Sequence, residues 1–254
     1  MQQMLTVGRG AFGYIEGMVS RGRRVLVVGA TGRLGVAVAH GLVERGDKVV
    51  ITARDPNKLA ALSAELGRGD TKPPFVTADL TQADAVERIR EGVRDAVGQV
   101  DDVVLACGPF PRTPFEELRR EDLEKTLTVH AVAPLLLVHA FAGDLAKAKG
   151  AVVALGDAGT TRPFTNHVAY LTAKGAMQTG LRALAVELAP DVRVNIVQLG
   201  IVADPEADRD PLRTHRLATR SPLGRFGTPE EVVHVVLAML DATWATGEVW
   251  GIGR

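Results

Sequence analysis

Apolar residues along this chain fall into two alternating kinds of run. The first kind is short and nearly continuous: RVLVVG at 24–29, KVVIT at 48–52, FVTADL at 75–80, DDVVLAC at 101–107, GAVVALG at 150–156, VRVNIVQLG at 192–200 and GEVWGI at 247–252. Runs of this length, without strict polar alternation, predict strands covered on both faces. The second kind is longer and spaces its apolar residues three and four apart. It occurs at 36–46, 56–67, 82–98, 120–148, 167–190 and 229–240 and predicts amphipathic helices. Local signals agree: Gly46 stops the first helix, Pro56 sits in the first turn of the second, and Pro229, Glu230 and Glu231 open the last. Pro134 is expected to bend the long helix of 120–148.

Strand–helix alternation with short connections predicts an α/β fold, a doubly wound parallel sheet in one domain over 22–254. Residues 1–21 hold glycines at 8, 10, 13 and 17, which disfavour a helix and predict an irregular arm; Met18 is an alternative start. The polar, proline-broken stretch 203–221 predicts a loop or flap over a site.

Composition narrows the function classes. Lys plus Arg and Asp plus Glu number 30 each, for a net charge of zero. A nucleic-acid binder would need a basic field, whereas a net charge of zero mildly favours self-association. The one cysteine, Cys107, can form no internal disulfide and is expected to be a small buried residue in a reducing compartment. No run approaches the ~18–20 apolar residues that span a bilayer, and the N-terminus lacks a signal-peptide pattern. These features predict a cytoplasmic protein without membrane partners. No residues show metal-ligand spacing; His130 and His139 do not share a helix face well.

Gly29-x-x-Gly32-x-x-Gly35 lies between the first strand and the first helix. Residues without a Cβ allow such a turn and let backbone approach a pyrophosphate, which the helix N-terminus then binds. The second strand ends in Arg54 beside Asp55, and Arg33 lies in the glycine turn. Two guanidiniums favour a 2′-phosphate and hence NADPH, although Asp55 could itself hold the ribose. Asp79 is a candidate for the adenine edge, or an ordinary cap.

Tyr170 and Lys174 are four apart on one predicted helix and share a face. An ammonium there is expected to lower the phenol pKa from ~10 and fit it for proton transfer beside a hydride donor. Asp157 stands 13 positions before the tyrosine, where it could equally cap a turn.

These features, with LAVELAPDVRVNIVQLG and SPLGRFGTPEEV in order, resemble the short-chain dehydrogenase/reductase family over about residues 22–252. The resemblance implies NAD(P) binding by Gly29, Thr31, Gly32, Arg33, Leu34, Gly35, Arg54, Asp79, Leu80, Ala106, Tyr170 and Lys174. It also implies a dimer or tetramer packed through the two long helices. The family's catalytic serine falls at Asp157, a substitution similar to that of the pteridine reductases. In them the equivalents of Arg33 and Phe110 hold the substrate, and Phe110 is expected to stack on a pterin unless it is a core residue. The sequence departs from the family at Ala106 and His130, where asparagines are usual, and at Leu199–Gly200, where Pro–Gly is usual. His130 is expected at a water relay beside the lysine. The expected activity is NADPH-dependent reduction of a pteridine or dihydrofolate, with Tyr170, Lys174 and Asp157 as the catalytic set. The alternatives are an NADP-dependent ketone or oxoacyl reductase, and a cofactor-binding regulatory protein with little turnover.

Overall fold

The structure, a computed structural model, describes residues 22–67, 71–203, 211–219 and 221–253, with Arg213 described by its backbone alone. The expected arm at 1–21 and residues 204–210 and 220 of the expected flap lie outside the described residues.

Seven parallel strands form one sheet in the order β3-β2-β1-β4-β5-β6-β7: β1 Arg24–Val28, β2 Lys48–Ala53, β3 Phe75–Thr77, β4 Asp102–Leu105, β5 Ala151–Asp157, β6 Arg193–Leu199 and β7 Val249–Ile252. The helices are α1 Arg33–Arg45, α2 Pro56–Leu66, α3 Ala85–Val97, α4 Arg120–Leu127, α5 Ala133–Ala148, α6 Val168–Glu187, α7 Pro211–Ala218 and α8 Pro229–Asp241. The architecture is the doubly wound, single-domain one that the alternation predicts.

The central strands bury alternate residues in two separate cores. Leu26, Val28, Val103, Leu105, Val152 and Ala154 meet Ile89 of α3, Phe141 of α5 and Leu181 of α6. Val25, Val27, Ile51, Val104, Val153 and Leu155 meet Leu42 of α1, Leu59 of α2 and Val236 of α8. Burial on both faces is why these strands carry continuous apolar runs. The chain moves outward from β1 in one direction through β2 and β3 and returns to continue from β4 in the other. This reversal opens a crevice at the carboxyl ends of β1 and β4.

Three expectations need correction. First, the long helix of 120–148 is not simply bent at Pro134. Thr128–Val132 forms a π-helical segment between α4 and α5. Proline lacks the N–H that would bond the carbonyl four residues back, that of His130, and its ring crowds that carbonyl, so the ladder widens just before it. Second, the continuous helix Arg120–Ala148 is long and apolar enough to cross a membrane by length and composition alone. Its apolar residues Leu137, Val138, Phe141 and Leu145 instead pack in the core. Third, the expected flap contains α7, whose first residue is Pro211, a position where the fixed φ of proline favours a helix start.

Gly41 shows how closely the layers approach. A Cβ there would lie 2.3 Å from Cγ1 of Val233 on α8. Alanine improves helix propensity by ~1 kcal/mol, yet overpacking costs ~1–3 kcal/mol. Gly41→Ala is therefore expected to lower the melting temperature, and adding Val233→Ala to recover part of the loss; equal melting of Gly41→Ala and the native chain would refute this packing.

Candidate active site

The glycine turn lies at the crevice. Gly29 has φ of 81°, and a Cβ on it would stand 2.5 Å from the Cys107 Cα. A Cβ on Gly35 would stand 2.2 Å from the Gly29 carbonyl oxygen. Backbone-to-backbone contact of this kind leaves room for glycine only. The N-terminus of α1 has no side-chain cap and no acidic residue in its first turn. The first-turn N–H groups and positive dipole end face the crevice without a side-chain cap or carboxylate, an arrangement that fits the pyrophosphate of a dinucleotide.

The residues expected around this turn are only partly gathered there. Arg33 does not join Arg54. Its guanidinium donates to the carbonyls of Ala203 and, at 3.3 Å, Val202. Those residues follow β6, on the opposite side of β1 from β2, because the Arg33 side chain leaves the first turn of α1 toward that side. Arg54 is exposed at the end of β2. Asp55 caps α2, accepting from the N–H groups of Asn57 and Lys58 at 3.0 and 3.1 Å, so its carboxylate serves the helix. Asp79 accepts from the Thr81 N–H at 3.0 Å and hydroxyl at 2.8 Å. These bonds, with Arg54 nearby, hold its pKa below the usual range. Leu34 and Leu80 are half-buried against the two cores. The Ala106 N–H donates to the Val28 carbonyl at 2.9 Å, so the sheet closes there without the family's asparagine. Thr31 is half-buried in the turn.

At the end of β5 the geometry is tight. The Tyr170 hydroxyl donates to Asp157 Oδ2 at 2.8 Å. Asp157 Oδ1 accepts from the Gly159 N–H at 2.7 Å. The carboxylate therefore caps the turn after β5 and grips the phenol at once. Tyr170 and Lys174 are each only 6% exposed, and the Lys174 ammonium lies 5.9 Å from the centre of the phenol ring while donating to the Leu155 carbonyl at 2.7 Å. Burial pulls the lysine pKa below its ordinary value. The expectation that lysine would lower the tyrosine pKa is corrected: burial, and then the Asp157 charge and hydrogen bond, push it well above the ordinary value. A carboxylate at hydrogen-bond distance outweighs an ammonium farther off. Tyr170 is a neutral phenol that holds its proton.

Phe110 is 59% exposed and is not a core residue. It stacks on His167 at 4.4 Å between centroids and meets the Tyr170 ring edge-on at 4.8 Å. Phe164 closes the group, 5.0 Å from His167. The sequence pointed to Phe110, whereas Phe164 and His167 enter the group only through the structure. His167 is three positions before Tyr170, a same-face spacing that was available as a signal. Cys107 is half-buried, and burial pushes its thiol pKa up.

His130, 1% exposed, also meets Tyr170 edge-on, at 5.2 Å. Its Nε2 lies 2.8 Å from the Pro109 carbonyl. A carbonyl only accepts, so Nε2 carries the proton; Nδ1 is buried with no hydrogen-bond partner among the described residues. Burial, with the Lys174 charge, lowers the imidazole pKa to about 4.

Residues 29–252 match the family model described as "Enoyl-(Acyl carrier protein) reductase". The chain is 33% identical to L-xylulose reductase from Bos taurus over 87% of its own length and 89% of that protein. A short-chain "Glucose/ribitol dehydrogenase" from Brucella melitensis superposes with a TM-score of 0.85 at 29% identity, covering 91% of this chain and 95% of that one. L-sorbose reductase from Gluconobacter frateurii, solved with NADPH and L-sorbose, shares the fold with a TM-score of 0.86 at 22% identity, covering 92% and 96%.

The buried imidazole gives a pH dependence of stability. The folded value of about 4 lies below the unfolded value of ~6.5, so the unfolded chain binds the extra proton between them. The stabilisation is complete above the unfolded value and is lost as pH falls toward the folded one, a change of ~3 kcal/mol. Between pH 7 and 4.5 the native chain should lose melting temperature more steeply than His130→Gln. Parallel curves would contradict a neutral buried His130.

Proposed function

Because the chain belongs to the short-chain dehydrogenase/reductase family, we propose that it is an NADPH-dependent carbonyl reductase acting on small polyhydroxylated ketones. The observation that carries this reading is the buried, neutral Tyr170 held at the end of β5, which carries the proton that a carbonyl takes up on reduction. L-xylulose reductase, the relative at 33% identity, supports a ketose substrate. The ring faces of Phe110, Phe164 and His167 offer an apolar wall to one side of such a molecule.

In this reading the N–H groups at the start of α1 hold the pyrophosphate and Lys174 holds the nicotinamide ribose. Arg54 faces the 2′-phosphate, since Asp55 is occupied as a cap. A bound reduced nicotinamide supplies the hydride. Tyr170 delivers its proton to the carbonyl oxygen, and Lys174 offers positive charge behind the phenol as the proton leaves. Self-association through the outer faces of α5 and α6 is part of the same family reading; Leu136 and Val186 are exposed on them.

A specific observation keeps a second reading in view. Asp157 is a carboxylate where a ketone reductase benefits from a hydroxyl. A serine donates to a carbonyl oxygen, whereas a carboxylate repels the negative charge that develops there. A pterin-like ring has nitrogen atoms to protonate, for which Tyr170 and Asp157 together form a proton-sharing pair, and a flat face for Phe110.

One substitution separates the two. On the ketone reading, Asp157→Ser raises kcat/KM for ketoses. On the pteridine reading, it lowers turnover of dihydrobiopterin and leaves ketoses unreduced. Tyr170→Phe should cost roughly 10²- to 10⁴-fold in turnover on either reading; retained activity would remove Tyr170 as the acid. Arg54→Ala should weaken NADPH about tenfold, or ~1.4 kcal/mol, and NADH little, as read by fluorescence titration. Equal losses would remove the cofactor preference.

A further inference from the structure

The loop that follows β4 carries Phe110 between two prolines, at 109 and 111. Neither proline has an N–H to give. Among the described residues, the only hydrogen bond that holds residues 108–112 is the one from His130 Nε2 to the Pro109 carbonyl. The next anchor is the Thr113 N–H, which donates to the Asn166 carbonyl at 2.7 Å.

The imidazole holds the preceding residue too. Gly108 has φ of 115°, and a Cβ on it would stand 2.0 Å from the His130 Cε1 and 2.4 Å from Nδ1. The Gly108 backbone therefore lies flat against the ring. One side chain thus fixes two consecutive residues just before Phe110, and the same ring meets Tyr170 edge-on. Its own position is set by the π-helical segment ahead of Pro134.

We propose that His130 is a positioning residue for substrate selection: its Nε2–H clamps the Gly108–Pro109 turn and thereby sets Phe110 over Tyr170. The edge-on contact of Phe110 with Tyr170, beside which a substrate would lie, is then set by an imidazole behind it. This inference rests on the reading that Phe110 faces the substrate. A neutral ring is needed for the clamp to persist without a buried charge, and burial keeps it neutral above about pH 4.

The test uses the full chain, with two readouts. Gln places an amide N–H near the position of Nε2, and Asn places one nearer Nδ1. Amide hydrogen exchange over 108–113 needs no substrate. It should speed at least tenfold in His130→Ala and His130→Asn, and stay within twofold of the native rate in His130→Gln. With a ketose that the native enzyme reduces, KM should rise at least tenfold in His130→Ala, by a larger factor than kcat falls. Adding Phe110→Ala to that variant should raise KM no further, since neighbours acting through one contact are non-additive. NADPH affinity should stay within twofold.

Native-like exchange in His130→Ala would overturn the proposal, as would additive effects of the two alanines on KM. Rescue by Asn rather than Gln would overturn it as well, by moving the role to Nδ1. Should the alanine variant not fold, the Gln and Asn pair decides. If the native chain reduces none of the ketoses offered, the proposed function fails while the exchange experiment still judges the clamp. Normal ketose turnover with exchange indifferent to His130 is the reverse case.

Discussion

The hydrogen bond from the Tyr170 hydroxyl to Asp157 holds the candidate site in one arrangement. It joins the last residue of β5, which lies opposite Leu199 of β6, to the first turn of α6. It also takes place among side chains largely removed from water. There a carboxylate oxygen binds strongly and an unpaired one would be costly. The second Asp157 oxygen is satisfied by the Gly159 N–H, so the carboxylate is held from both sides and cannot turn away from the phenol without breaking its own turn. A phenol so held keeps its proton, already shared in a hydrogen bond to Asp157, and the chemistry proposed above starts from that state.

Much of the frame was legible in the chain. Seven continuous apolar runs, separated by helical spacing, gave the parallel sheet because burial on both faces removes the usual polar alternation. Gly29 and Gly35 marked the turn because backbone presses on backbone there. Tyr170 and Lys174 were visible as a same-face pair. What the pattern could not give was the balance of charges across elements. The pull of Lys174 on the phenol is a local property that spacing suggests. The stronger opposing effect of burial and Asp157 depends on how close β5 and α6 come. Asp79 and Asp157 each have a capping reading and a functional reading in the sequence, whereas Asp55 has only a ribose-binding one. At Asp157 the geometry supports both at once. At Asp55 and Asp79 the carboxylates bond their own turns.

Arg33 and the long helix were misread for a related reason. A side chain in a glycine turn has two sides of a crevice open to it, and its sequence position does not say which. Arg33 reaches the carbonyls after β6 rather than the β2 side. The break before Pro134 was expected at the proline, but a proline disrupts the turn before it, and His130 sits in that turn. The imidazole fills the space that Gly108 leaves, a complementarity between residues 22 positions apart that no periodicity encodes.

The account rests on a neutral Tyr170 whose proton is held by Asp157. The most direct measurement is the difference in phenolate absorbance between the native chain and Tyr170→Phe as pH is raised, repeated in the Asp157→Asn background. The native chain should show no Tyr170 phenolate near neutral pH, and ionisation should begin at lower pH once the Asp157 charge is removed. Phenolate already present at neutral pH, or identical titrations with and without Asp157, would contradict the account.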